Sequence, residues 1–339
     1  MIIEVQQILS RHWNNIILAF FLAFLTSVQA QPNIQVHREA FLMGSRFDIT
    51  VVETSQEKAE KAIELAIQEI QRIEKLISSW SDSSETSMIN RKAGIKEVVV
   101  STELFELILR AQQISNLTQQ AFDITYAAMD GLWQFDGSMK ELPSPTTIQQ
   151  RLALVGMDKI LLEASRQSVY LPLKGMKIGF GAIGKGYAAD RAKMLLQKQA
   201  VPGGIVNASG DLSVWGTNAQ GDPWTIALTH PLDKAKVLGT FELNNQAVVT
   251  SGDYEKFQYL EGKKYSHIID PRTGYPSQGL ISSTVFAPKA ELADALATAL
   301  FVMGPDVGVD LIDQLPQVEC ILINEKGLIF TSKNIALEN

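Results

Sequence analysis

Asp294 is the one acid in an apolar run from Leu292 to Gly304, and Thr298 follows it by four residues. On a helix that spacing sets both oxygens on one face, about one turn apart. A carboxylate in apolar surroundings must be neutralised or partnered. An acid and a hydroxyl together form half a shell for a hard cation that prefers oxygen. Two plainer readings stand beside this one. Asp294 pairs with Lys289 or Arg272, and Thr298 bonds back to a carbonyl one turn earlier. Just upstream lies HIIDPRTGYP, His267 to Pro276. It offers a histidine able to move a proton and a turn opened by Asp270 and Pro271, with Gly274 at a left-handed position.

Other segments carry weaker signals. GFGAIGKGYAAD, Gly179 to Asp190, sets glycines before a helix start, where free N–H groups attract anions. Gly186 after Lys185 excludes a Walker motif. Gly179, Gly181 and Gly184 match GxGxxG, but the acid that should follow a dinucleotide fingerprint is missing. Close packing of a helix on its neighbours explains the same glycines. AFDIT (Ala121 to Thr125) and LWQF (Leu132 to Phe135) place aromatics beside one acid, as a buried core also would. TSGDY, Thr250 to Tyr254, has hydroxyls at a strand end that suit either a turn or a phosphate.

The elements that must hold these groups are legible in part. FDITVVE, Phe47 to Glu53, reads as a strand. Thr54 and Glu57 form a capping box ahead of an amphipathic helix that buries Ala59, Ala62, Ile63, Ala66, Ile67, Ile70, Ile73 and Ile77. Residues 78–94 are serine-rich and aperiodic, which predicts an ordered loop or lid. Helices are expected over 103–118, 145–154, 184–198 and 307–314, besides the Asp294 helix. KILLE, SVYLPL, MKIGFG, GGIVNAS, LSVWG, WTIALTH, VLGTFEL and AVVTSG read as strands, and CILIN with GLIFTS as a hairpin around Glu325-Lys326-Gly327. Closely spaced strands without strand–helix–strand repeats predict one intertwined α+β domain of mixed and antiparallel sheets with packed helices.

The chain has 339 residues, 46% hydrophobic and 20% charged, with a formal net charge of −7. That size buries a large core, and the acidic balance argues against nucleic acid. No charged residue occurs between Trp13 and Val36. The apolar block from Ile16 to Val28 follows Arg11 and ends in SVQA, a small-x-small cleavage pattern. Residues 1–30 therefore read as a signal peptide with Gln31 near the mature start, or as an uncleaved anchor over 13–30. The expected location is the periplasmic side, soluble or tethered to the inner membrane, with residues 31–339 as the functional domain. The single cysteine, Cys320, rules out an intrachain disulfide. Because it does not follow the leader, a lipoprotein anchor is ruled out too, and thiolate metal centres are likewise excluded.

Taken in order, MGSRFDITV, SSW…SETSMIN, AFDIT…LWQF, IGFGAIGKGYAAD, GGIVNASGDL, TSGDY, HIIDPRTGYP and ADALATALFVMG resemble the ApbE family of FAD:protein FMN transferases. The resemblance covers nearly everything after about residue 38. It implies a T-fold-like architecture and a Mg2+ ion held by Asp294, Thr298 and the backbone carbonyl of Ala182. It also implies FAD contacts at Met43, Trp80, Ala121, Phe122, Asp123, Lys185 and Ile268. Some relatives carry an aspartate where this chain has Gly179, which puts one flavin or adenine contact in doubt. The implied reaction transfers the FMN half of FAD to a Thr or Ser hydroxyl of an acceptor protein and releases AMP. His267 is the candidate base, since an alcohol must lose its proton while AMP leaves readily. The implied acceptors are exported or outward-facing flavin subunits of respiratory complexes. Hydrolysis of the FAD pyrophosphate and non-catalytic carriage of FAD are the alternative functions.

Overall fold

The computed structural model describes residues 32–337 except residue 255. The proposed leader lies outside the described residues. Strands are β1 (Ile34–Leu42), β2 (Ser45–Glu53), β3 (Val98–Val99), β4 (Leu161–Glu163), β5 (Ser168–Tyr170), β6 (Gly203–Ala208), β7 (Asp211–Trp215), β8 (Trp224–His230), β9 (Asp233–Leu243), β10 (Ala247–Gly252), β11 (Phe257–Leu260), β12 (Lys263–Ser266), β13 (Leu280–Ala287), β14 (Glu319–Asn324) and β15 (Ile329–Thr331). Helices are α1 (Gln56–Ile77), α2 (Glu85–Lys92), α3 (Thr102–Leu117), α4 (Pro145–Leu152), α5 (Gly184–Lys198), α6 (Ala290–Met303) and α7 (Pro305–Ile312). The main sheet runs β1-β2-β6-β7-β10-β13-β14-β15, antiparallel throughout, so neighbours in space come from distant parts of the chain.

Successive residues on a strand face opposite sides, and here each side has its own core. Val51, Val249, Val285 and Leu322 join α1, α5 and α6 on one face. Their neighbours Val52, Val248, Phe286 and Ile321 join Trp224 and Leu243 of the β8–β9 hairpin on the other. The fold is thus α+β with antiparallel sheets and packed helices, as expected. β13 is buried at every position, covered on both faces. Its sequence, LISSTVFA, shows no alternation for that reason, and it is absent from the expected strands along with β1, β3, β11 and β12.

Several boundaries differ from expectation. α1 is capped by Ser55, whose hydroxyl accepts from Lys58 N at 3.4 Å, so the Thr54–Glu57 box does not form. The expected loop over 78–94 contains α2, capped by Ser84 and burying Thr86, Ser87 and Ile89. The stretch before Ser84 and the turn at residues 93–94 remain irregular. MKIGFG is not a strand. Its backbone is held by Asn90, which donates to Ile178 O at 2.9 Å and accepts from Ile178 N at 2.8 Å. Gly179 N then donates to Ile124 O at 2.9 Å, which leaves no ladder to join. Among the described residues no helix is long and apolar enough to cross a membrane.

Candidate functional site

Two helices build the centre of the site by exchanging caps. The first N–H groups of any helix lack intrahelical acceptors. At α5 the N–H of Gly186 donates to Asp294 Oδ2 of α6 at 3.0 Å. At α6 the N–H of Glu291 donates to Asp190 Oδ2 of α5 at 2.9 Å. This closeness requires glycine, since a Cβ on residue 186 would lie 2.2 Å from the carbonyl oxygen of Ala290. A Cβ on Gly181 would likewise lie 2.5 Å from the hydroxyl of Tyr126.

Asp294 is buried at 4% exposure. Neither plainer partner reaches it. Arg272 pairs with Asp270 at 2.9 Å, and no ion pair joins Lys289 to Asp294 among the described residues. Oδ1 of Asp294 accepts no hydrogen bond among the described residues. Burial pushes its carboxyl above the usual range, against the downward pull of the Lys185 charge and the Gly186 N–H, while Asp190 adds to the rise. Thr298 does not bond back along the helix; its hydroxyl lies 3.5 Å from that of Ser251. Ala182 sits just before α5, and its carbonyl accepts no hydrogen bond among the described residues. A buried carboxylate without a cationic partner, a hydroxyl and an unused carbonyl form an all-oxygen donor set. Such a set fits Mg2+ and does not fit a soft metal. The surface trio His37, Glu39 and Asp48 is no rival, because Arg46 lies 2.7 Å from both Glu39 and Asp48 and supplies the cation there.

The cleft around Asp294 brings most of the expected residues together. Ala121, Phe122, Asp123, Ala182, Lys185, His267, Ile268, Asp294 and Thr298 all line it. Met43 and Trp80 line an adjoining groove, which meets the cleft at Gly181 and Lys185. Met43 takes a left-handed backbone, φ 51°, in the turn between β1 and β2, where Gly or Asn is usual. Trp80 is 83% exposed, a large ring with no packing role. Asp123 lines the cleft with its carboxylate turned to local partners. Its carboxylate accepts from Thr125 N at 2.7 Å, Thr125 Oγ1 at 2.5 Å and Met157 N at 2.9 Å, so it caps a 3-10 turn and its side chain is committed internally. Phe122 is almost fully buried and belongs to the core as well as the wall. Gly179 faces Ala127, whose Cβ would be 3.0 Å from a side chain there, so the place of the relatives' aspartate is partly filled.

His267 Nδ1 lies 3.1 Å from the carbonyl of Lys256. A carbonyl only accepts, so Nδ1 carries the proton, and in the neutral ring Nε2 holds the free lone pair. Burial pushes the imidazole below the usual histidine range, helped by the charges of Lys256 and Lys185 and opposed by the Lys256 carbonyl. The imidazole therefore favours its neutral form at pH 7. Sequence reasoning passed over Asp211 and Tyr126, which also line the cleft. The Ser209-Gly210-Asp211 turn was the available signal for Asp211. Tyr126 had none, as its place follows from the 3-10 turn.

Comparison with known proteins gives a consistent picture. The ApbE family model matches residues 43–322. The chain is 32% identical over 295 residues to an FAD:protein FMN transferase of Klebsiella pneumoniae strain 342, spanning 86% of this chain and 90% of that protein. It is 31% identical over 281 residues to the FAD:protein FMN transferase of Salmonella typhimurium, spanning 81% and 80%. Among solved structures, the ApbE protein of Thermotoga maritima superposes with a TM-score of 0.81 at 31% identity, over 88% of this chain and 97% of that one. The flavin transferase ApbE of Vibrio cholerae gives 0.78 at 27%, over 89% and 98%.

Proposed function

Because this chain belongs to the ApbE family, we propose that it is an FAD:protein FMN transferase that attaches FMN to a Thr or Ser hydroxyl of an acceptor protein, with Mg2+ required and AMP released. The observation that carries the reading is Asp294. A buried carboxylate without a cationic partner shares one cleft with Thr298, Ala182, Lys185 and His267.

His267 Nε2 takes the proton from the acceptor hydroxyl as its oxygen attacks the phosphorus of the FMN half. The bond from that phosphorus to the bridging oxygen breaks, and AMP leaves with the electron pair. Such a base is worth about a hundredfold or more. Lys185, where cleft and groove meet, binds the negative phosphates, while Trp80 gives the exposed flat face on which a ring can stack. Mg2+ bound by Asp294, Thr298 and the Ala182 carbonyl would neutralise charge at the pyrophosphate.

The deciding experiment incubates protein, FAD and Mg2+ with and without an acceptor flavin subunit of a respiratory complex. AMP and protein-bound fluorescence after denaturation, only with acceptor and Mg2+, are expected. AMP with free FMN and no acceptor means hydrolysis, and no product in either arm means carriage. We also place the protein on the periplasmic side through residues 1–30. A leader fused to a reporter active only after export tests this, and a cytoplasmic reporter overturns it.

A further inference from the structure

Neither α5 nor α6 caps its own start. Ile183 before α5 and Lys289 before α6 make no side-chain hydrogen bond to the turn that follows. The first N–H groups of each helix then depend on acceptors from elsewhere. Asp294 serves α5 through Gly186 N, and Asp190 serves α6 through Glu291 N. Asp190 has a second hold, because its Oδ1 accepts from the hydroxyl of Ser213 on β7 at 2.6 Å. Both residues are buried. The Asp190 carboxylate therefore ties the start of α6 to the main sheet. Residues 186 and 190 stand about one turn apart on α5, as do 291 and 294 on α6. The two bonds thus act as paired rungs, and neither helix can slide along the other without breaking one. With a single rung left, Asp294 can turn about it. Asp190 does not line the cleft, so it reaches a ligand there only through α6.

We propose that Asp190 is a positioning residue, which fixes the first turn of α6 against α5 and β7 and so aims the Asp294 carboxylate and the Thr298 hydroxyl at one divalent cation. This rests on the reading of Asp294 and Thr298 as cation ligands. Mg2+ demands near-octahedral geometry at about 2.1 Å, so a small tilt of the helix that carries two of its ligands is costly. Outer groups that orient metal ligands are worth about 10–100-fold in affinity.

The test titrates Mg2+ calorimetrically into FAD-free protein, with circular dichroism as the check on folding. Asp190→Ala removes the rung and its anchor, so Mg2+ binding is expected to weaken about tenfold or more. Asp190→Asn keeps an oxygen for Glu291 N–H and an amide that can donate to Ser213, and is expected to bind Mg2+ within about threefold of the wild type. Ile321→Val, in the core on the other face of the sheet, lowers stability without touching either helix, and its Mg2+ affinity is expected to be unchanged. Unchanged binding in Asp190→Ala overturns the proposal. So does Asp190→Asn as weak as Asp190→Ala, which would make charge the cause, or an equal loss in Ile321→Val, which would make stability the cause. Should Asp190→Ala fail to fold, Ser213→Ala decides. That variant frees the carboxylate from β7 and is expected to weaken Mg2+ about threefold or more, and unchanged binding there overturns the proposal. No Mg2+ binding by the wild type fails the cation reading itself, and the inference with it.

Discussion

At the scale of single residues, His267, Asp294 and Trp80 make separable demands. His267→Asn is expected to cut transfer about a hundredfold or more with FAD affinity intact, as measured by flavin fluorescence and AMP release. A base at His267 works only when neutral, and burial holds this imidazole below the histidine reference of 6.5. Activity should therefore fall on acidification with a midpoint under pH 6.5, and His267→Asn should abolish that limb. Asp294 is an acid raised by burial above its reference of 3.8. In metal-free protein its contribution to stability is full below that reference and is lost as pH rises through the folded value. Asp294→Asn keeps an acceptor for Gly186 N–H, so without Mg2+ it should melt at or above the wild type at neutral pH. With Mg2+ at about a hundred times its Kd the wild type should gain about 2.7 kcal/mol and overtake, whereas the variant should not respond. Trp80→Ala should leave the melting temperature unchanged and weaken FAD by about 1 kcal/mol, read by titration.

At the scale of elements, the contact of α5 with α6 is the point of least tolerance. Gly186→Ala drives a methyl against the Ala290 carbonyl, so the helices must part. A loss of about 1–3 kcal/mol in urea unfolding, together with lost Mg2+ binding, is expected. This scale also shows what the sequence could reveal. The Asp294–Thr298 face and the start of α5 at Gly184 were legible, because helical spacing and a glycine-rich start are local facts. The interior of residues 78–94 was not, since α2 is too short and polar to show a period and is fixed by Ser84 and by Asn90 pairing with a segment 88 positions away. MKIGFG misled for the complementary reason. Its apolar alternation is that of a strand, yet its hydrogen bonds go to a side chain and a lone carbonyl.

At the scale of the whole molecule, antiparallel pairing and packed helices followed from closely spaced strands, but the order of the sheet did not. β13 lies between β10 and β14 with both faces covered, and burial on both sides erases the alternation by which strands are found. The proposed cation ligands come from two parts of this architecture, with Ala182 just before α5 and Asp294 and Thr298 on α6. Unfolding in urea followed by Mg2+ release and by far-ultraviolet dichroism should therefore give coincident curves. A site lost well before the bulk transition would show that α5 and α6 separate independently. The exchanged caps join residues 108 and 101 positions apart. Each helix thus keeps part of the other's starting signal, and a chain emerging in order has finished neither until the last strands are laid between them. An incomplete polypeptide would then hold no coordination sphere, so metal would first be gripped by molecules that have already assembled, wherever that assembly occurs.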